Sequence, residues 1–218
     1  LVFESDGERI QAYDSIYFDT SDLRMFREHR RGKLVRQKIR TRGYLGSGLC
    51  FLEVKKKNNH SRTRKKRVGV PPDDFQDFRK DPEACLWLAS HSCYQSGEIF
   101  PSVETMFNRI TLVNKNLTER LTIDISVTFK NLRTSSEASL GTAAIIEIKQ
   151  DGRLGSKMKD ILLKHRVKPM RVSKYCLGVA LTDPKVLPGR FKSKIRFIDK
   201  LNKNRYTTCY NPVLHRPL

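Results

Sequence analysis

Acidic residues are scarce in this chain: 23 Asp and Glu stand against 43 Lys and Arg, for a formal net charge of +20 over 218 residues. That shortage excludes a self-neutralising surface. Like charges in such excess work against the compact state, and a polyanionic partner relieves the strain. Nucleic acid, an anionic membrane surface and polyphosphate all qualify. Long apolar runs are missing too: none approaches the ~18 residues a membrane-spanning helix needs, and no signal-peptide pattern opens the chain at Leu1. The cysteines Cys50, Cys85, Cys93, Cys176 and Cys209 are scattered singly, with no CxxC pair and no two histidines at metal-ligand spacing. This excludes a zinc module and a disulfide framework and favours a reducing compartment. The expected location is cytoplasmic, peripheral to a membrane if a basic segment engages acidic lipid. Low-complexity tracts and repeats are absent, and the length suits one domain with its own core.

What the chain does have is alternation. Ser15–Phe18, Leu34–Tyr44, Leu49–Lys57, Arg62–Val70, Thr105–Val113, Arg120–Phe129 and Ala143–Lys149 alternate or carry β-branched and aromatic residues, which predicts strands. Helical patterns fall at Pro72–Arg79 with Glu83–Cys93, at Ser156–Lys164 and at Val172–Leu181, the last stopping before Asp183-Pro184. The class is α+β with a mostly antiparallel sheet. Residues 1–184 read as the domain and 185–218 as a basic C-terminal helix or tail, with Phe191–Lys203 amphipathic.

Strand side chains point alternately to opposite faces. Arg36, Lys38, Arg40 and Arg42 therefore share one face, with Val35, Gln37, Ile39 and Thr41 behind them. Glu53, Lys55 and Lys57 share a face, as do Glu147 and Lys149, and as do Arg120, Thr122, Asp124 and Ser126. Each strand alone is an ordinary amphipathic element with a solvated charged edge. Together they describe a sheet with one apolar face and one face dense in Arg and Lys. An open sheet would leave that face in water. A closed barrel would turn it inward, where two cations about 8 Å apart repel by roughly 2 kcal/mol at an effective dielectric near 20, so the lumen would require a bound polyanion.

The blocks Tyr17-Phe18-Asp19-Thr20, Lys38-Ile39-Arg40-Thr41-Arg42-Gly43-Tyr44, Phe51-Leu52-Glu53-Val54-Lys55-Lys56-Lys57, Lys65-Lys66-Arg67, Asn108-Arg109, Glu119-Arg120-Leu121-Thr122-Ile123-Asp124, Ile146-Glu147-Ile148-Lys149 and Ser173-Lys174-Tyr175 follow one another in order. This series resembles the VTC domain of polyphosphate polymerases, from about Tyr17 to Leu181. That family belongs to the triphosphate tunnel metalloenzymes, alongside the CYTH phosphatases and cyclases. The resemblance implies an antiparallel β-barrel, the triphosphate tunnel, with helices packed outside. It implies transfer of the ATP γ-phosphate to a growing polyphosphate chain, with ATP and inorganic polyphosphate as partners and Mn²⁺ or Mg²⁺ as cofactor. By the same resemblance Arg40, Arg42, Lys55, Arg109 and Glu147 form the catalytic set. Lys38, Lys57, Lys66, Arg120, Arg171 and Lys174 add phosphate contacts, and Glu147 carries the metal with Glu53 as helper. One departure stands out: the family's opening strand should precede Tyr13 and is not evident in Leu1–Gln11.

Other functions stay open at this level. The same lumen could hydrolyse triphosphate, or hold a polyanion without turnover. Nucleic acid is not the expected ligand, because aromatics do not interleave with the basic strand as stacking platforms. Gly152 and Gly155 stand three apart where a P-loop needs five, so that motif is set aside. His29 is expected to be a structural hydrogen-bonding residue and Trp87 a core residue. Lys192, Lys194, Arg196, Lys200 and Lys203 form a solvated face, with acidic lipid as the alternative partner.

Overall fold

The computed structural model describes residues 1–4, 7–60, 62–150 and 155–203, so the far C-terminal tail and Gly152 lie outside the described residues. The alternating segments form β1 (Ile10–Asp19), β2 (Arg36–Tyr44), β3 (Leu49–Lys57), β4 (Thr63–Gly69), β5 (Phe100–Val113), β6 (Glu119–Asn131), β7 (Glu137–Ser139) and β8 (Ile145–Gln150). They make one sheet in the order β4-β3-β2-β1-β5-β6-β7, with β8 also on β6, and every pairing is antiparallel. The α+β class stands. The closed barrel is corrected to an open sheet, since among the described residues β4 pairs only with β3 and β8 only with β6. Arg64, Lys65, Lys66 and Arg67 load the β4 edge with like charge, which deters a further strand.

The open sheet is strongly curled. In a flat sheet β3 and β8 would stand roughly 24 Å apart, five strand spacings. Yet Glu147 and Lys149 on β8 act electrostatically on Lys55 of β3. The two ends of the sheet therefore face each other across a concave surface. β1 starts earlier than its apolar pattern suggests: Ile10 and Gln11 pair with Ile110 and Arg109, and Val2 bridges Leu112. Leu1–Gln11 thus does contribute strand pairing.

Two bulges break the alternation. The β1–β5 register shifts between Tyr17 and Phe18, and the β5–β6 register between Met106 and Asn108. Ser126, at φ 52, is the extra residue of the second bulge. Beyond it Val127 and Phe129 take the concave face, and Ser126 does not continue the row of Arg120, Thr122 and Asp124 as the bare pattern predicts.

Those inward apolar residues require cover, and α4 (Lys174–Thr182) supplies it. Tyr175, Cys176, Leu177 and Val179 pack with Tyr13, Tyr17, Val103, Phe107, Val127 and Phe129. The expectation that helices pack outside is thereby corrected in part, because α4 lies against the inner face. The outer face behaves as expected: Ile16, Phe18, Ile39, Leu52 and Val54 pack against Phe78 and against Ala84 and Leu88 of α2 (Pro82–His91). Two 3₁₀ turns, Pro72–Asp74 and Phe78–Lys80, replace the helix predicted over Pro72–Arg79. α3 (Lys157–Lys164) starts at a Ser156 cap. α1 (Arg24–Arg31) is almost wholly polar; the Asp19 carboxylate starts it by accepting the Met25 and Phe26 N–H groups at 2.9 Å each, and Gly32 ends it at φ 80. α5 (Lys192–Lys203) rests on the same core through Ile195, Ile198 and the preceding Phe191. No helix among the described residues is long and apolar enough to cross a membrane.

Candidate phosphate-binding site

The register places Lys38 beside Lys55, Arg40 beside Glu53, and Arg42 beside Phe51 on the concave face. Lys65 and Arg67 on β4 oppose Lys55 and Glu53. Arg109 opposes Asp124 across β5 and β6. Five strands thus direct their charges at one surface, and α4 closes one end of it.

Most of those charges are paired. Arg40 donates to Glu53 Oε2 from Nε at 2.8 Å and from Nη2 at 2.5 Å, while Nη1 donates to the Tyr17 hydroxyl at 2.9 Å. Lys65 donates to the other oxygen of Glu53 at 2.9 Å. Burial alone would raise the Glu53 pKa, but Arg40, Arg42 and Lys65 hold it at about 2. Arg109 grips Asp124 with two bonds of 2.6 and 2.8 Å, and Lys174 donates to the same carboxylate. Lys174 also sits 4.1 Å from the centre of the Phe107 ring. Burial pulls the Lys174 pKa down and Asp124 opposes that shift. The Tyr17 phenol is buried, which raises its pKa, yet Arg40, Arg42, Lys38 and Lys174 bring it down to about 8.

Four cations have no such partner among the described residues: the exposed Lys55 and Arg67, and the more buried Arg42 and Lys38. Arg42 is only 6% exposed and pairs with no carboxylate among the described residues; its Nε donates to Ser15 Oγ at 3.1 Å. Its guanidinium lies beside the stacked Tyr13 and Phe107 rings, 5.2 Å from the centre of the first and 5.6 Å from that of the second. Burial, reinforced by Arg40, pushes its pKa down to about 10. Lys38 donates to Ser173 Oγ at 2.8 Å, and burial lowers its pKa. The concave face is built with unmatched positive charge at its centre.

The remaining expected residues divide. Lys55 stands at the open side of the face, where burial lowers its pKa and Glu147 opposes the shift. Glu147 is half exposed, with a loose 3.5 Å contact to Lys149. Arg120, opposite Lys149, is exposed at the rim. Arg171 is exposed and its charge reaches Arg36, at the Arg36 end of β2. Lys57 lies at the far end of the β3 row. Lys66 is corrected: it opposes Val54, so the pleat sends it to the outer face, and Lys65 takes its place on the inner one. Glu53 as a metal helper is corrected as well, because both of its oxygens are held by Arg40 and Lys65. His29 Nδ1 is buried without a hydrogen-bond partner among the described residues, against the expectation for that residue.

Sequence reasoning assigned no site role to Tyr13, Tyr17, Asp124 or Ser173. Parity already places Tyr13 and Tyr17 on the face of Ser15, and Asp124 on that of Arg120. That Ser173 meets Lys38 depends on α4 folding back, which no local pattern reports.

The donor set bears on metal binding. Among the described residues no group of three or more His, Cys, Asp and Glu converges. With Glu53 and Asp124 engaged, Glu147 is the concave-face carboxylate with accessible oxygens. Magnesium-like ions are commonly held by one or two carboxylates together with substrate phosphates, and Glu147 fits that mode rather than an all-protein cage.

A sequence model of the VTC domain matches residues 1–182. No curated protein matches the chain in sequence. Among solved structures, a candidate adenylate cyclase from Bacillus halodurans is 12% identical with a TM-score of 0.49, over 78% of this chain and 81% of that one. A candidate adenylyl cyclase from Hippeastrum, described as having a dominant triphosphatase activity, is 14% identical with a TM-score of 0.49, over 83% and 86%. A Pyrococcus horikoshii protein is 15% identical with a TM-score of 0.44, over 80% and 85%. The domain match covers well over half of the chain, in the same stretch that builds the concave cationic face: this protein belongs to the VTC domain family.

Proposed function

We propose that the concave face is the catalytic site of an ATP-dependent polyphosphate polymerase, which passes the γ-phosphate of ATP to the end of a polyphosphate chain and releases ADP. The observation that carries this reading is Arg42, a buried guanidinium with no carboxylate partner among the described residues. A buried, unmatched charge is costly, and phosphate oxygens supply the missing negative charge with bidentate geometry. Lys38 and Lys55 add point charges on the same face. Arg109 and Lys174, braced by Asp124, face the ligand in fixed positions.

In the transfer, a terminal oxygen of the chain bonds to the γ-phosphorus as the bond to the ADP oxygen breaks. Such a reaction relies on positioning and charge stabilisation more than on a protein nucleophile. Glu147 would hold Mn²⁺ or Mg²⁺ at the open side of the face, next to Lys55. Held there, such an ion would supply positive charge to offset the negative charge that develops on the phosphate oxygens. The residues themselves align the two oxygens in line and exclude water on the α4 side, where Phe107 and Tyr175 pack.

The test is incubation with ATP and Mn²⁺, followed by separation of products. Polyphosphate together with ADP supports the reading; orthophosphate and ADP without polyphosphate make the protein a triphosphatase, and tight triphosphate binding without turnover makes it a binding module. Glu147→Gln is expected to lower metal-dependent turnover by about 10²-fold or more, with an unchanged circular dichroism spectrum. Full turnover by that variant would remove Glu147 from the site.

A further inference from the structure

The cations that the concave face does not use gather behind it. The outer side of the β3–β4 hairpin carries Lys56 and Arg64 directly opposite each other, and Lys66 opposite Val54. Like charges facing across a strand pair are unfavourable. On the inner side the equivalent pair, Lys55 and Lys65, is relieved by the Glu53 carboxylate. On the outer side Lys56, Arg64 and Lys66 form no ion pair with a carboxylate among the described residues. Between this hairpin and the end of α2 lies a groove of ≈ 510 Å³, floored by Val35 and Val54 and lined by Lys56, Lys57, Arg62, Arg64 and Lys66 with Ser90 and His91. No Asp or Glu lines it.

Lys57 joins the two faces. By pleat it shares the inner row with Lys55, yet it also lines the outer groove, at the tip of the hairpin. A flexible chain leaving the inner face past Lys55 meets Lys57 at the rim and then Lys56, Arg64 and Lys66 beyond it. We propose that this groove is a second oligophosphate-binding site, which takes the linear polyphosphate chain as it passes out of the concave face over the hairpin rim. The identity of the chain rests on the function proposed above; the site itself rests on the groove and its unmatched cations. A linear polyphosphate suits it better than nucleic acid, because no open aromatic platform lines the groove. The nearby Trp87 ring is already stacked on His91, with centroids 4.4 Å apart.

The site predicts a length dependence. Lys56, Arg64 and Lys66 are exposed, so replacing all three by Gln leaves the core untouched. Binding of tripolyphosphate, long linear polyphosphate and a duplex DNA of similar charge would be measured by titration across a salt series. Expected for Lys56→Gln/Arg64→Gln/Lys66→Gln is unchanged tripolyphosphate affinity, with long-chain affinity reduced about tenfold and a salt slope smaller by about 2. Long-chain affinity equal to that of the unmodified protein would overturn the groove as a site. Equal losses for polyphosphate and DNA would overturn its assignment to polyphosphate and leave a general anion surface. Arg42→Ala separates the two ideas. If that variant keeps tripolyphosphate binding, the concave-face reading fails; if it loses tripolyphosphate but keeps the residual long-chain affinity, the groove stands on its own.

Discussion

Arg42 and Glu53 sit on neighbouring strands and both are buried, yet they answer substitution with opposite signs. Arg42 has no carboxylate partner, so Arg42→Ala removes a charge the ligand-free fold holds at a loss. It is expected to raise stability slightly, by about 1 kcal/mol, while weakening tripolyphosphate binding at least about tenfold. Thermal melts with and without the ligand separate the two effects. Glu53→Gln strips Arg40 and Lys65 of their partner and should destabilise by about 3 kcal/mol. The carboxyl's pKa falls from 4.5 to about 2 on folding, so its contribution is complete above pH 4.5 and is lost as the pH drops toward 2. Urea melts over that range should show a steeper acid loss in the unmodified protein than in Glu53→Gln. A parallel pair of curves would refute the ion pair. The cations were legible from strand parity alone. Their partners were not, because pairing of Arg40 with Tyr17 and of Lys38 with Ser173 joins segments far apart in the chain.

At the scale of elements, α4 and the bulge at Ser126 act together. Ser126 adopts φ 52, the alternation slips, and Val127 and Phe129 turn inward where α4 covers them. Gly178 allows the helix to approach: a Cβ there would stand 2.7 Å from Val103 Cγ1 and 2.9 Å from Phe129 Cδ1. Gly178→Ala is expected to cost about 1–3 kcal/mol by overpacking, and Val103→Ala in the same background should recover part of it. Chemical denaturation of the two single variants and the double variant reads the coupling; strict additivity would mean that the helix sits elsewhere. Because α4 carries Lys174 to Asp124, the Gly178→Ala shift should also weaken anion binding. The strands other than the short β7 were visible as alternation, and α2, α3 and α4 as helical patterns, while the Ser156 and Ser173 caps that start α3 and α4 came only with the structure. α1 was not visible, since its polar sequence has no apolar stripe and its start comes from Asp19.

The whole molecule carries a net charge of +20, and curling the sheet concentrates part of it on one surface. Salt and ligand should therefore have distinguishable effects. Added chloride screens self-repulsion and raises the melting temperature of the free protein, but it weakens tripolyphosphate binding. Tripolyphosphate at 100 times its low-salt dissociation constant should stabilise by about 2.7 kcal/mol, and at that fixed concentration the increment shrinks as salt raises the dissociation constant. Differential scanning calorimetry across a salt series checks both trends. A ligand-induced increment independent of salt would contradict an electrostatic site.

Short-range rules in the chain were enough to determine the α+β class, every strand but the three-residue β7, and the row of Arg and Lys on one face, because side-chain parity depends only on adjacent residues. The VTC resemblance lay in the same blocks, and the domain match bears it out. Tertiary structure alone decided that the sheet stays open but curls, that Lys66 faces away, that Glu53 is occupied by cations and that a helix lies against the inner face. Each of these depends on which distant segments meet, and a two-residue period carries no information about that.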